Sequence, residues 1–192
     1  SLLLALIGNL DLIFAKHYLP AYLAGQYAGL STIGKIVLYG VGSFVIVMFP
    51  LVSASHSAAD GWERRHLLNS LGIISGLSLA AIAIFAIIPR FIVLVLFGRG
   101  YLPIVPYLAL AGLAMYFVAL SVALSNYFVA VHDRRFLGPL FLGLIIQIVS
   151  LVAFHHSLAA IVWAEVFSMF LTALLLFATY LYTNRQQHVS QP

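Results

Sequence analysis

Three ionisable side chains stand inside stretches that are otherwise apolar: Asp11 in "NLDLIFAKHY", Lys35 in "STIGKIVL" and Glu165 in "IVWAEVFSMF". A charge at the centre of a membrane helix costs about 2.5–3.5 kcal/mol on insertion scales, so such residues pair with one another or serve an aqueous or ligand-bearing cavity. Asp11 lies roughly 12 Å from the end of the first apolar stretch, and Lys35 roughly 15 Å from the start of the second, at about 1.5 Å per residue. Consecutive helices joined by a short loop run antiparallel, so these depths allow the two charges to meet. The spacing fits either a structural Asp11–Lys35 pair or a cavity that uses one or both charges.

Polar neighbours recur at helical spacing around the same residues. Thr32, Lys35, Tyr39 and Gly42 or Ser43 form one stripe, Glu165, Ser168 and Thr172 a second, and Gly143, Gln147 and Ser150 a third; Asn126 lies near the inner end of the fourth stretch. One polar stripe on each of three helices suits a bundle around an aqueous path, and interhelical hydrogen bonds give the same pattern. The candidate substrate-binding set is Lys35, Thr32, Tyr39, Asp11, Glu165 and Gln147. Small residues mark expected helix contacts: Gly25 with Gly29, Gly138 with Gly143, and Ser121 with Ser125.

The elements that must carry these residues follow from composition. Of the 192 residues 64% are hydrophobic and 7% charged, with a mean hydropathy of +1.10. Soluble domains carry about 25% charged residues, so the expected class is all-α integral membrane. Six apolar stretches separate, at about 1–18, 25–53, 67–88, 103–131, 136–154 and 157–182, and a span needs about 20 apolar residues. The expected domain is a six-span bundle over 1–182 with a cytoplasmic tail over 183–192. β-Barrel strands would alternate in polarity, and no such alternation is seen.

Pro20 and Gly25 punctuate the first connection, Pro89 ends the third helix, and Pro103 and Pro106 suit the first turns of the fourth. A bend is expected at Pro50. "RFIVLVLFGRGY", Arg90–Tyr101, is too short to cross and is expected to lie along the outer interface. Arg64, Arg65, Arg134, Arg135 and Arg185 fall on one side of six crossings, against Lys16, Arg90 and Arg99 on the other. The positive-inside rule therefore places the 55–66 loop, the 132–135 turn and the C-terminus in the cytoplasm.

Other chemistry lacks a signature. Basic residues are too sparse for a nucleic-acid surface, and the chain has no cysteine, which removes disulfides and thiolate metal sites. There is no Walker-type loop and no H-E-x-x-H, and "GVG" at Gly40–Gly42 lacks a third glycine. His155 and His156 have no acidic ligand nearby in sequence, so no metal or other cofactor is expected, and no enzymatic activity. The chain starts with Ser1 and an apolar run without a basic leader, and is expected to be the C-terminal part of a longer protein.

Three short patterns in order resemble a known family. "NLDLIFAKHYLPAYLAGQYAGLSTIGKI" pairs an intramembrane Asp with a short loop and a G-x-Y opening; "VMFPLVS" (Val47–Ser53) is similar to a Phe-Pro helix ending; "LVLFGRGY" (Leu94–Tyr101) is similar to an L-F-G-x-x-Y interfacial segment. Together they resemble the polysaccharide-biosynthesis, O-antigen branch of the multidrug/oligosaccharidyl-lipid/polysaccharide (MOP) flippase superfamily. The resemblance implies the C-terminal half of a two-bundle transporter in the bacterial inner membrane, moving lipid-linked oligosaccharide by alternating access. Its partners would be that substrate, the missing N-terminal bundle of the same protein and membrane lipids, with no nucleic acid. Lys35 matches the basic cavity residues that meet pyrophosphate in such proteins. Alternatives are a multidrug or cation antiporter of the same superfamily, which gives Asp11 and Glu165 the main role, a non-transporting membrane scaffold, and a membrane transferase.

Overall fold

The computed structural model describes residues 2–54 and 62–189, with side chains described over 3–42 and 67–183. Among the described residues the chain is entirely helical, without strands. Helices α1 (Leu2–Ile7), α2 (Leu10–Tyr18) and α3 (Ala21–Ala54) come first. Then follow α4 (Trp62–Ile87), α5 (Pro89–Leu96), a 3-10 helix (Arg99–Tyr107), α6 (Leu108–Ala130), α7 (Leu137–Ala153) and α8 (Leu158–Val189).

Three helical stretches among the described residues are long and apolar enough to cross a membrane: Leu67–Ile87, Arg99–Ala130 and Leu158–Thr183. Leu137–Ala153 is apolar but shorter. Helix α6 is the centre of the bundle, packed against α3, α4 and α8, while α7 packs against α8 and touches α1 and α2. Its core-facing residues include Ala111, Gly112, Ala114, Met115, Val118 and Ala119, mostly small, so neighbouring helices approach closely.

The expected continuous first span is broken. At Gly8–Asn9 the ladder shortens, with Asn9 N–H donating to the Leu6 carbonyl at 3.0 Å, and the Asn9 side-chain amide donates to the Ala5 carbonyl at 2.9 Å. An asparagine that can bond its own backbone offers an alternative to the α-helical pattern, and glycine before it lowers the resistance to leaving that pattern.

Pro103 and Pro106 lie inside the 3-10 helix, so α6 proper starts at Leu108, not at the prolines. Arg90–Tyr101 contributes the short helix α5 and the start of the 3-10 helix, joined at Gly98 with φ +80°. That left-handed backbone is accessible to glycine at little cost. The 3-10 helix is fastened to α3, where Gln26 Nε2 donates to the Gly100 carbonyl at 2.7 Å and the Tyr101 ring covers Gly29. Helix α8 continues to Val189, through most of the segment expected as a tail. The 55–61 loop segment, the Pro50 side chain and Arg64, Arg65 and Arg185 lie outside the described side chains.

Small residues prove unequal as contact markers. A Cβ added at Gly34 would lie 3.0 Å from the Ala111 carbonyl oxygen, one at Gly29 would overlap the Tyr101 ring, and one at Gly143 would overlap Thr172. At Gly25 and Gly138 an added Cβ meets nothing within 4 Å. Each expected glycine pair therefore has one contact member.

Candidate functional site

The break between α1 and α2 is where the buried polar groups converge. Ending α1 at Ile7 releases a carbonyl from its helical partner, and a carbonyl inside hydrocarbon needs a donor. Gln147 of α7, fully buried, supplies it: Nε2 lies 2.9 Å from the Ile7 oxygen. The same nitrogen stands 3.0 and 3.2 Å from the two carboxyl oxygens of Glu165 on α8. One amide thus ties the broken helix to α7 and α8. Backbone unwound within an apolar bundle is tolerated where side chains of neighbouring helices satisfy its polar groups.

One turn beyond the break, Asp11 is 1% exposed and takes its hydrogen bonds from α3: Tyr27 Oη at 2.9 Å and Ser31 Oγ at 3.2 Å, both to Oδ2. Asp11, Tyr27, Ser31 and Glu165 line one small space closed by Leu30, Met115 and Val162. Its volume is about 10 Å³, the room of a single water. Among the described residues, Asp11 Oδ1 and Gln147 Oε1 are buried acceptors without a hydrogen-bond partner. Among the described residues, the polar side chains of α2, α3 and α8 therefore line a compact acceptor-rich pocket.

Lys35 does not pair directly with Asp11; no ion pair joins them among the described residues. Its Nζ donates instead to Asn9 Oδ1 at 2.8 Å, at the helix break itself. Lys35 is 9% exposed, whereas Asn9 is exposed, so the ammonium sits at the boundary between the packed interior and the open face of α3. Thr32, Ile36 and Tyr39 occupy that open face, with Tyr39 at 69% exposure and the Thr32 hydroxyl turned back on the Ala28 carbonyl at 2.8 Å.

Of the six candidate residues, the structure brings Asp11 and Glu165 to one pocket and Gln147 against Glu165. Lys35 stands at the pocket's edge through Asn9, and Thr32 and Tyr39 remain on the neighbouring exposed stripe. Ser168 and Thr172 bond carbonyls of their own helix, at 2.8 Å to Ala164 and Ser168 respectively, and offer nothing to a cavity. Tyr27, Ser31 and Asn9 belong to the site without having been singled out. Tyr27, Ser31 and Lys35 recur at i, i+4 and i+8, a spacing that puts them on one face.

The space beside the Asp11 and Glu165 carboxyl groups has the room of about one water, and among the described residues no group of three or more His, Cys, Asp or Glu could hold a metal ion. No protein-family model, curated protein or solved structure matches the chain.

Proposed function

We propose that this chain is the C-terminal bundle of an inner-membrane flippase for lipid-linked oligosaccharide, in which Lys35 offers positive charge to the anionic head of the substrate. The observation that supports this most is the partner of Lys35. Its hydrogen bond goes to a neutral amide, so its position is fixed while its charge is not cancelled by direct contact with a carboxylate. Asn9 also ties that charge to the discontinuity between α1 and α2, where a small rotation of one half-helix would move the ammonium toward or away from the open face. Thr32 and Tyr39 are exposed along that face, in reach of a saccharide or phosphate passing over it.

The test is transport of lipid-linked oligosaccharide by the full-length protein carrying Lys35→Gln or Lys35→Arg. Lys35→Gln abolishes transport at normal expression under this proposal, and Lys35→Arg retains part of it, because the charge persists while its reach changes. Full transport by a well-expressed Lys35→Gln protein overturns the assignment.

A second reading, cation-coupled antiport, is favoured by Asp11 and Glu165. Two carboxyl groups share a pocket the size of one small ion or water, and among the described residues Asp11 Oδ1 has no donor. Asp11→Asn and Glu165→Gln discriminate the two roles: under coupling, both lose gradient-driven transport while keeping substrate binding.

A further inference from the structure

Helix α2 rests on a narrow footing. Its nine residues lie between two non-helical joints, the Gly8–Asn9 break and the Leu19–Pro20 link, where Leu19 is extended at φ −90° and ψ 149°. Within the helix Asp11 and Ala15 are buried, one turn apart on a single stripe, while Ile13, Lys16, His17 and Tyr18 are exposed. So little buried surface leaves the position of a short helix to the attachments at its ends.

The two ends are fastened differently. At the Asn9 end the ties are hydrogen bonds from α3: Lys35 Nζ to Asn9 Oδ1 at 2.8 Å, with Tyr27 Oη and Ser31 Oγ donating to Asp11. At the Tyr18 end they are rings. Tyr18 stacks on His155 of the α7–α8 turn, with centroids 4.3 Å apart and planes at 28°, and His17 meets Tyr18 edge-on at 4.8 Å. The His155 ring is itself held in place, since its Nδ1 donates to the Val152 carbonyl at 2.6 Å and His156 packs against it at 4.4 Å. A carbonyl only accepts, so Nδ1 is the nitrogen that carries the hydrogen.

Position connects this contact to the carboxyl pocket. Asp11 is the residue that α2 contributes to the space it shares with Tyr27, Ser31 and Glu165, and Ala15 continues the same stripe toward Tyr18. With Tyr18 on His155, Asp11 and Ala15 are each 1% exposed. Once Tyr18 leaves His155, α2 is free to tilt at its two joints, which uncovers Ala15 first and Asp11 one turn further on.

We propose that the Tyr18–His155 stack is a latch that holds α2 over the Asp11–Glu165 pocket, and that its opening admits water and small ions to the two carboxyl groups. The latch governs access, so it is independent of the substrate assigned to Lys35 and of which ion the carboxyl groups bind.

Thiol accessibility tests it. The chain has no cysteine of its own, so Ala15→Cys places a single reporter beneath α2. Its rate of modification by a small charged methanethiosulfonate reagent is read with the protein in nanodiscs. Ser31→Cys, facing Asp11 from α3, is the second reporter should Ala15→Cys disturb packing. His155→Ala raises the rate about two- to tenfold, the range that loss of one aromatic pair gives in an opening equilibrium. His155→Phe keeps a ring against Tyr18 without the bond to Val152, and holds the rate within about twofold of the parent. A cysteine at Ser121, 1% exposed on α6, keeps its rate in every variant. An unchanged rate in His155→Ala means that the stack does not hold α2, an equal rise at Ser121 means general loosening, and an equal rise in His155→Phe means that the ring contact is not the fastening; each result overturns the proposal.

Discussion

Replacing Gln147 by leucine probes the junction on which the candidate site depends. The substitution keeps volume and burial but removes the donor to two acceptors, the Ile7 carbonyl at 2.9 Å and the Glu165 carboxyl at 3.0 and 3.2 Å. Neither acceptor has water at hand, since Gln147 is fully buried and Glu165 is 2% exposed. In water-soluble proteins each orphaned group would cost about 1–3 kcal/mol. Side-chain hydrogen bonds between membrane helices measure lower, about 0.6 kcal/mol on average and about 1.7 at most. Two such bonds place the loss for Gln147→Leu at about 1–3 kcal/mol.

The discriminating quantity is the coupling with Glu165. In a Glu165→Leu background only the Ile7 bond remains to be lost, so Gln147→Leu costs less there by about 0.6–1.7 kcal/mol. Reversible unfolding of the protein in mixed micelles, run on the four members of the cycle, gives that difference directly. Additivity within about 0.3 kcal/mol would show that Gln147 and Glu165 do not interact and would refute the three-way junction.

Further expectations concern packing, topology and the buried carboxyl group. Gly34→Val forces α3 away from the Ala111 backbone and lowers stability by about 1–3 kcal/mol, whereas Gly25→Ala, with open space around it, leaves the unfolding midpoint nearly unchanged. Single cysteines at Asp133 and Ser157, on either side of α7, label from opposite membrane faces in intact cells; labelling of both from one face would mean that α7 does not cross. Tyr27→Phe removes one of the two donors to Asp11 and costs about 0.6–1.7 kcal/mol in the same unfolding assay, a penalty that disappears in an Asp11→Leu background.

What could be read without a fold was whatever depends on local sums. Hydropathy and charge density identify a chain made for hydrocarbon, because 64% apolar residues leave too little polar surface to face water. The helical class, the break at Pro89 and the presence of Asp11, Lys35, Glu165 and Gln147 at costly positions follow from the same local reasoning.

Which side of each helix faces inward was decided by tertiary packing. Tyr27, Ser31 and Lys35 lie about 100° around α3 from Ala28, Thr32 and Ile36, and both stripes contain polar and apolar members. Only the placement of α2 and α6 against α3 buries the first and exposes the second. The same is true of the partner of Lys35. Similar depth made Asp11 a reasonable counter-ion, but the unwinding at Gly8–Asn9 put an amide nearer to the ammonium and left Asp11 to the hydroxyls of Tyr27 and Ser31. That unwinding is itself a tertiary outcome, because the carbonyl it frees finds its donor 140 residues away on α7, a distance in sequence that no local pattern spans.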